Sequence, residues 1–338
     1  MTATTSPDAP PAKPPQRFRR WSWFVAFLMA AAVGLNAWCY RHVWTMTHYS
    51  RGGEQTRRPE QLAGWAKLQV LLTGVNVPRP EIKQRPDELG LESTVHTLST
   101  SDGAALEVWN VAHPAPRGRV CLFHGYGNCK SDMLHEARAF FEMGLSVVLV
   151  DFRGSGGSSG DTTTLGVLEA RDVAAACRFA DELEPPLPLL LYGRSMGSVA
   201  ILRSVAHEGV MPQGLILECP FDRLLGAIRR RFTTMRLPSF PCAELMLIWG
   251  GVQHGIDGFE HDAVADASRV GCPTMILRGE NDPRVSAADV QAIFDALTVE
   301  RDLETISGVG HESCCRSNPE EWKAGVEPYV DRLLDSQP

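Results

Sequence analysis

The stretch LPLLLYGRSMGSVAIL, Leu187–Leu202, decides the fold of this chain. An apolar run typical of a buried strand stops at Gly-Arg-Ser-Met-Gly, and a second apolar run with helical spacing follows it. Ser195 is therefore expected on a sharp turn between a strand and a helix. Such a turn imposes strained backbone angles on the serine, and Gly193 and Gly197 leave room where a Cβ would clash. The hydroxyl is then lifted clear of the sheet at a helix N-terminus, whose dipole favours developing negative charge.

The same alternation of strands and helices continues on both sides of this stretch. Short, nearly all-apolar runs such as RVCLFHG (119–125) alternate with longer helical stretches up to PEEWKAGVEPYVDRLLD (319–335). A hairpin around a Ser-Asp-Gly turn is expected from about Glu92 to Val111. Strands that are apolar on both faces indicate a mostly parallel sheet with helices on each side. The sequence thus predicts one α/β domain over 91–336, with a short, less regular insertion at about 221–270.

Composition excludes several classes of protein. The chain has 338 residues, 44% hydrophobic and 22% charged, which suits one large domain with a short extra segment. The net charge of −7 and the absence of a long basic stripe argue against a nucleic-acid partner. Nine cysteines in no zinc-like spacing argue against a structural zinc site. Cys121 and Cys177 fall in apolar runs and are expected as small buried side chains, whereas Cys314 and Cys315 are left open between packing and pairing.

The N-terminal forty residues predict a membrane segment. Residues 1–20 are proline-rich with a basic end and are expected to be disordered. The twenty residues Trp21–Tyr40 carry no charge and as a helix would be about 30 Å long, which matches the hydrocarbon core of a bilayer. Aromatic residues mark both ends, as they do at membrane interfaces. A signal peptide cleaved near MAAAVG remains the alternative, and the mature protein would then be secreted.

Basic residues predict the topology of this single-pass segment. Arg17, Arg19 and Arg20 precede the span, which places the N-terminus in the cytoplasm and the domain outside it. Arginines at 51, 57 and 58 act against this assignment. Residues 41–90 are expected as a membrane-proximal connector. Its stretch WAKLQVLLTGV predicts an amphipathic helix that rests either on the lipid surface or on the domain.

A serine hydroxyl needs a general base, and the base needs an acid that orients it. His311 follows the last predicted strand and Asp282 follows the strand before it, so both lie at the carboxyl edge of the sheet where Ser195 is expected. Glu280 is the rival acid. The order serine, aspartate, histidine is that of the α/β-hydrolase architecture. Other histidines are less suitable as the general base. Glycines follow His124, and His254 and His261 fall in the insertion.

An oxyanion hole completes the predicted site. It requires two preorganised N–H donors aimed at the charge that develops on the substrate oxygen. The first is the backbone N–H of Met196, the residue after the nucleophile. The second is expected from the loop after RVCLFHG, at the backbone N–H of Tyr126.

At these residues the chain resembles the α/β-hydrolases, in particular the membrane-anchored Bem46-like and ABHD13-like serine hydrolases and the related lysophospholipase and monoacylglycerol lipase-like proteins. The resemblance runs from about Gly74 to Leu334 and rests on TSDGAALEVW, LFHGYGN, VDFRGSGGSSG, YGRSMGS, ECPFD, RGENDPRV and GVGHES. It implies the same catalytic assignment: Ser195 as nucleophile, His311 as base, Asp282 as acid, and the Tyr126 and Met196 amides as oxyanion donors. The short insertion in place of a large lid departs from the pattern and leaves the substrate undefined. Its helix CAELMLIW is expected either as an acyl-binding wall or as core.

The sequence therefore predicts a membrane-anchored serine hydrolase that cleaves carboxylic esters or thioesters through an acyl-enzyme. Its expected substrate is a small-molecule ester, and the membrane anchor suggests one derived from a lipid. No metal or organic cofactor is implied. Two alternatives stay open. One is an aminopeptidase- or oligopeptidase-like amidase, and the other is a non-catalytic binding protein on a hydrolase fold. The oligomeric state has no signal in the sequence.

Overall fold

A single eight-stranded sheet organises the protein. The computed structural model describes residues 16–57 and 61–335. Within them the sheet runs in the order β1-β2-β4-β3-β5-β6-β7-β8. The strands are β1 (Thr94–Ser99), β2 (Ala105–Val111), β3 (Gly118–Phe123), β4 (Leu145–Val150), β5 (Leu189–Arg194), β6 (Gly214–Glu218), β7 (Thr274–Gly279) and β8 (Arg301–Ile306).

The topology confirms the predicted α/β-hydrolase architecture. Strands β1 and β2 form the expected antiparallel hairpin, and β2 also pairs antiparallel with β4. Every pairing from β4 to β8 is parallel. The carboxyl ends of β3, β5, β6, β7 and β8 therefore lie along one edge, where ligands of such sheets bind.

Eleven α-helices lie in the described part of the chain. The connections between parallel strands supply most of them, as right-handed crossovers require. They are α1 (Gln16–Thr47), α2 (Gly64–Thr73), α3 (Leu134–Glu142), α4 (Glu169–Glu182), α5 (Met196–His207), α6 (Leu224–Thr234), α7 (Cys242–His254), α8 (Ala263–Ala267), α9 (Ala287–Ala296), α10 (Cys314–Ser317) and α11 (Pro319–Asp335).

The core has two layers, one on each face of the sheet. In β3 the side chains of Cys121 and Phe123 enter one layer, and those of Val120 and Leu122 enter the other. All six residues of β3 are buried. Burial on both faces explains why the strands read as continuous apolar runs rather than as alternating ones.

The predicted insertion folds into helices α6, α7 and α8. The expected helix CAELMLIW is α7, and a third apolar cluster joins α6 and α7 to the C-terminal end of α1. Two N–H···O hydrogen bonds reinforce the contact between α1 and α7: Trp249 Nε1 donates to Asn36 Oδ1 at 3.1 Å, and Gln253 Nε2 donates to Tyr40 O at 2.9 Å.

Helix α1 is longer than the predicted span. It begins at Gln16 and continues to Thr47, so residues 16–20, expected as part of a disordered tail, are helical. Residues 1–15 lie outside the described residues. From Arg20 to Thr47 the helix is long and apolar enough to cross a membrane, with a mean hydropathy of 1.6 and 6% burial over its most apolar window. Such exposure is not that of a core helix.

The connector after α1 packs on the domain. The amide of Tyr49 donates to Asp161 O at 2.7 Å, and the amide of Thr163 donates to Thr47 O at 2.9 Å. Helix α2 buries none of its residues. It lies beside α1, where Trp38 Nε1 donates to Leu71 O at 2.6 Å. The side of α2 that carries Trp65 stays exposed.

Candidate active site

Ser195 sits on the strained turn that the sequence predicts. It lies between β5 and α5 with φ 54° and ψ −110°, a conformation that non-glycine residues rarely adopt. Its amide donates to Glu218 O in β6 at 2.7 Å. Ser198 Oγ lies 2.7 Å from Gly193 O and 2.9 Å from Glu218 O, so its one hydroxyl proton is shared between the two carbonyl oxygens and ties the first turn of α5 to the two strands. Surrounding contacts thus hold the strain in place.

The two glycines of the motif are required by close approach of backbone to backbone. A Cβ on Gly193 would come within 2.5 Å of Gly197 C, and a Cβ on Gly197 would come within 2.3 Å of Phe123 O. Neither distance is tolerable between non-bonded atoms. Helix α5 can therefore rest on the end of β3 only when both positions lack a side chain.

The structure brings the three predicted side chains together. His311 Nε2 lies 3.0 Å from Ser195 Oγ, and His311 Nδ1 lies 2.7 Å from Asp282 Oδ2. A carboxylate accepts, so Nδ1 carries the proton and Nε2 accepts from the serine hydroxyl. The second oxygen, Asp282 Oδ1, accepts from the amides of Arg284 and Val285 at 2.7 and 3.0 Å. This is the hydrogen-bonding chain that proton transfer from the serine requires.

The loops that carry the acid and the base are fixed to each other. The amide of Asn281 donates to Val309 O at 2.8 Å. A Cβ on Gly279 would come within 2.2 Å of Gly310 O, so the loop after β7 and the loop after β8 touch along their main chains. Asp282 and His311 are therefore positioned as one unit.

A buried polar network holds the segment that follows His311. Ser313 Oγ donates to Glu136 Oε1 at 2.6 Å, and the amide of Cys314 donates to Glu218 Oε1 at 3.1 Å. Glu218 also accepts from Tyr192, and burial raises the pKa of its carboxyl to about 8. Glu218 thereby links β5 and β6 to the segment that follows His311.

The surroundings shift the pKa values of the acid and the base. Burial alone would lower the pKa of His311, but the hydrogen bond to Asp282 and the contact with Cys219 raise it to about 9. Burial would raise the pKa of Asp282, but its hydrogen bonds to His311 and to two amides hold it below its usual range. The site thus favours an imidazolium beside a carboxylate, the ion pair formed when the serine gives up its proton.

The predicted oxyanion donors lie next to the nucleophile. Met196 opens α5 directly after Ser195. Tyr126 follows Gly125, where a Cβ would lie 3.6 Å from Ser195 Cβ. In the described part of the chain, neither the Tyr126 amide nor the Met196 amide donates to another protein group. The Tyr126 hydroxyl donates to Met46 O at 2.5 Å, which brings the end of α1 to this loop.

The rival residues lie elsewhere. Glu280 accepts from the Gly308 amide at 2.9 Å rather than from the imidazole. His124 is fully buried, accepts from the Phe152 amide at Nε2 (3.1 Å) and contacts Gly125 O through Nδ1 (2.8 Å), so its role is structural. His261 contacts Leu165 O at 3.0 Å. His254 lines an apolar groove between α1, α6 and α7.

Sequence reasoning missed one residue of the site. Cys219 follows β6 directly, has a left-handed φ of 49° and is buried against His311. The neighbouring Cys314 thiol, assisted by His311, lowers the pKa of Cys219 to about 6 against the effect of burial. The signal was its place in ECPFD at the carboxyl end of a strand, where side chains meet the other strand ends.

One group of possible metal ligands lies in the described residues. Cys219, Asp282 and His311 each offer one ligand atom within 4.8 Å of the others. Asp282 Oδ2 and His311 Nδ1 are only 2.7 Å apart, whereas ligands of a tetrahedral zinc ion stand about 3.3 Å apart for bonds of about 2.0–2.1 Å. The arrangement suits proton transfer between the groups better than shared coordination.

The apolar groove lies between α1, α6 and α7. It has a volume of about 470 Å³, counted with its open mouth. Its walls come from the end of α1, the loop at 164–165, and helices α6 and α7. Acyl groups and other apolar moieties are the ligands that such walls accommodate.

Comparisons with known proteins agree with the fold. Residues 114–238 match the family described as serine aminopeptidase, S33. The chain is 23% identical over 276 residues to the lysophosphatidylserine lipase ABHD12 of Danio rerio, covering 70% of this chain and 67% of the lipase. It is 24% identical over 229 residues to the monoacylglycerol lipase of Mycolicibacterium smegmatis, covering 58% of this chain and 82% of the lipase. The Pyrococcus furiosus esterase Pf2001 superposes with a TM-score of 0.65 at 21% identity, covering 77% of this chain and 98% of the esterase. These likenesses show that the chain has the α/β-hydrolase fold and that it is similar to lipases and an esterase built on that fold.

Proposed function

We propose that this protein is a membrane-anchored serine hydrolase that cleaves carboxylic ester or thioester bonds of lipid-derived substrates through an acyl-enzyme. One observation carries the proposal. Ser195 Oγ, His311 and Asp282 form a continuous hydrogen-bonded chain, with distances of 3.0 and 2.7 Å, on a strained turn at the carboxyl edge of the sheet.

In the first half-reaction Ser195 Oγ attacks the carbonyl carbon of the substrate while His311 Nε2 takes the hydroxyl proton. Asp282 stabilises the imidazolium and keeps the proton of Nδ1 in place. The substrate oxygen becomes negative and accepts hydrogen bonds from the Tyr126 and Met196 amides. Each such donor contributes on the order of 3 kcal/mol to the barrier reduction. The leaving alcohol or thiol then receives the proton from His311.

In the second half-reaction water replaces the leaving group. His311 Nε2 accepts a proton from the water, whose oxygen attacks the acyl carbon, and the same two amides receive the charge. Collapse of the intermediate returns the proton to Ser195 Oγ and releases the acid. In both half-reactions, His311 and Ser195 are the protein groups that gain and lose the transferred proton.

The anchoring part of the proposal rests on α1. Its apolar length from Arg20 to Thr47, with exposed residues as far as Gly34, and its aromatic residues suit a single membrane span. The basic residues before the span favour a cytoplasmic N-terminus and an extracytoplasmic catalytic domain. A cleaved signal segment would instead remove most of α1, a helix whose Cys39 packs on α6 and α7.

The choice of lipid-derived esters rests on two supports. Relatives named for lipids, a lysophosphatidylserine lipase and a monoacylglycerol lipase, align over more than half of this chain. The groove between α1, α6 and α7 is apolar. The family description favours an aminopeptidase as second candidate, which would need an acidic group to hold the substrate's amino terminus. Among the described residues, no carboxylate lines this groove.

A fluorophosphonate probe tests the proposal, because it reacts only with a serine whose hydroxyl is activated. We expect labelling of the full-length protein and loss of labelling in Ser195→Ala. The matched control is Ser204→Ala, which removes a buried hydroxyl without a partner on the same helix. A folded protein that resists the probe would favour the non-catalytic alternative and contradict the proposal.

Turnover of p-nitrophenyl esters against aminoacyl amides then separates the two reaction types. We expect kcat/KM to be at least about tenfold higher for the esters than for the amides, because a difference in how two substrates fit a pocket commonly gives discrimination of that size. A preference for the amides would establish the aminopeptidase instead.

A further inference from the structure

We propose that the groove between α1, α6 and α7 binds the acyl chain of a single-chain lipid ester, so that the anchor helix is part of the substrate site. The inference rests on the proposed function and goes beyond it, because it assigns the acyl site to named residues and gives α1 a role besides attachment. Four observations carry it: the chemistry of the walls, the contact with the oxyanion residues, a strained loop, and the position of the groove along α1.

The described residues that form the walls of the groove carry no charge. Val43 and Met46 of α1 face Leu224 and Ile228 of α6 and Met246 of α7 across it. The hydroxyls of its two threonines are already hydrogen-bonded: that of Thr47 donates to Val43 O at 3.0 Å, and that of Thr164 donates to the carboxylate of Glu169, at the start of α4, at 2.6 Å. Burial also lowers the pKa of His254 and favours its neutral ring. An apolar, uncharged occupant is therefore favoured over a peptide terminus or a phosphate.

The inner part of the groove lies next to the side chains of the two residues whose amides are assigned to the oxyanion. Thr164 and Leu165 line the groove, and the hydroxyl of Thr163, which precedes them, lies 3.5 Å from Met196 Sδ. On the other wall, Met46 O accepts the hydrogen bond of the Tyr126 hydroxyl. We therefore expect an acyl chain in the groove to lead toward a carbonyl held by these amides.

The loop at the inner end is held in a strained shape. Leu165 has a φ of 58°, which a non-glycine residue adopts only when its surroundings impose it. The buried Glu169 imposes it by accepting four hydrogen bonds, from the Thr163 and Thr164 hydroxyls and from the Thr164 and Gly166 amides, at 2.6 to 2.9 Å. Strain of this kind concentrates at ligand sites, and here it presents a leucine to the groove.

The groove opens where the predicted span ends. From Trp21 to Val43 the helix rises about 33 Å at about 1.5 Å per residue, slightly more than the hydrocarbon thickness of a bilayer. Val43 and Met46 therefore lie at the membrane interface when the first twenty residues of the span cross it. We therefore expect a lipid chain to enter the groove from the side of the bilayer.

The groove is a single apolar space. Its volume of about 470 Å³ includes the open mouth. We therefore assign a monoacyl lipid, with one chain in the groove and its polar part directed to the aqueous side.

Filling the groove tests the assignment. Gly250 of α7 lines it, and a Cβ there lies 3.4 Å from Val43 Cγ1. In the full-length protein in detergent micelles we expect Gly250→Leu to lower kcat/KM for a C12 ester about tenfold or more, while that for a C4 ester changes less than about twofold. Val252→Leu adds a leucine to the exposed side of the same helix and should leave both values unchanged.

The role of α1 requires its own variant. Val43→Phe, which enlarges the facing wall, should produce the same loss of long-chain preference. Val33→Phe, on an exposed part of the same helix, should not. Gly250→Ala and Gly250→Val provide a graded series if the leucine variant loses its fold, and long-chain preference must then fall with side-chain size.

The outcomes separate this inference from the proposed function. Active Gly250→Leu and Val43→Phe variants with an unchanged chain-length profile would overturn the acyl groove and leave the hydrolase intact. An equal loss of C4 and C12 turnover would overturn it as well, because the substitutions would then act on the reaction centre. A wild-type protein that neither cleaves any ester nor reacts with fluorophosphonate would reject the hydrolase itself.

Discussion

The edge of the sheet at Ser195 and the wall between α1 and α7 are held together in different ways. At the edge, main chains touch each other and buried hydrogen bonds hold the reacting side chains, as at Gly279–Gly310 and Asp282–His311. Between α1 and α7, apolar side chains pack in a small cluster, and three hydrogen bonds cross it, one of them a long thiol bond from Cys39 Sγ to Cys242 O. We assign the chemistry, which depends on tenths of an ångström, to the first region and the binding of a flexible chain to the second. The two should respond differently to substitution.

The largest effect is expected from the acid of the rigid edge. Asp282→Asn keeps the shape of the side chain but removes the charge that fixes the tautomer of His311 and stabilises its imidazolium. We expect kcat to fall about 10⁴-fold with little change in the free energy of unfolding. Steady-state kinetics on a p-nitrophenyl ester, together with thermal unfolding, checks this.

Glu280→Gln is the matched control. It makes the same chemical change two residues away, at a carboxylate that accepts from the Gly308 amide and not from the imidazole. Its activity should remain within about twofold of wild type. Comparable losses in both variants would mean that the assignment of the acid is wrong.

The next effect tests whether main-chain contact is what makes the edge rigid. In Gly197→Ala the new Cβ meets Phe123 O at 2.3 Å, so α5 must move away from β3. We expect a loss of about 3 kcal/mol in the free energy of unfolding, as for an overpacked core, together with loss of activity. Chemical denaturation measures it.

Gly271→Ala provides the comparison for that variant, because a Cβ at this position meets nothing within 4 Å. Its stability should stay within about 0.5 kcal/mol of wild type. Equal stability of the two variants would show that α5 tolerates displacement from β3.

The contrast between the regions also explains what the sequence could predict. Ser195, Asp282 and His311 each follow an apolar run that forms a parallel strand, and the ends of parallel strands meet at one edge whatever the loops do. The order of the motifs and the sheet could therefore be derived with no knowledge of loop geometry. Gly193 and Gly197 likewise predicted, without knowledge of the loops, that the main chain comes close to other main chain around Ser195.

Features that depend on packing between distant segments were not derivable. The contact between α1 and α7 joins residues about two hundred positions apart, as at Asn36 and Trp249, and no local pattern specifies it. The contact of Cys219 with His311 depends on the path of the loop after β8. Helix α6 was missed although Leu224, Ile228 and Phe232 repeat at helical spacing and are buried. Its arginine-rich stretch obscured that periodicity.

The smallest effect concerns the thiol beside the base. His311 acts as a base only in its neutral form, and Cys219 contributes to raising the pKa of its imidazole to about 9. Replacing the thiol in Cys219→Ala should lower that pKa, so the acidic limb of the kcat/KM profile should move to lower pH by less than about one unit. A pH–rate profile of the free enzyme measures this shift.

Cys272→Ala, which removes a thiol outside the site, should leave the profile where it is. An acidic limb that stays in place or moves to higher pH in Cys219→Ala would contradict the contribution of the thiol and leave Asp282 as the group that sets the pKa of the base.

The backbone contact of Gly197 with the end of β3 has a consequence for the spacing of two amides. It sets the distance between the end of β3 and the start of α5 with no side chain in between, because a Cβ on Gly197 would come within 2.3 Å of Phe123 O. The distance between the amides at 126 and 196 is therefore set by main-chain contacts. We expect substitutions of Tyr126 and Met196 to change the surroundings of a bound substrate while that distance is kept.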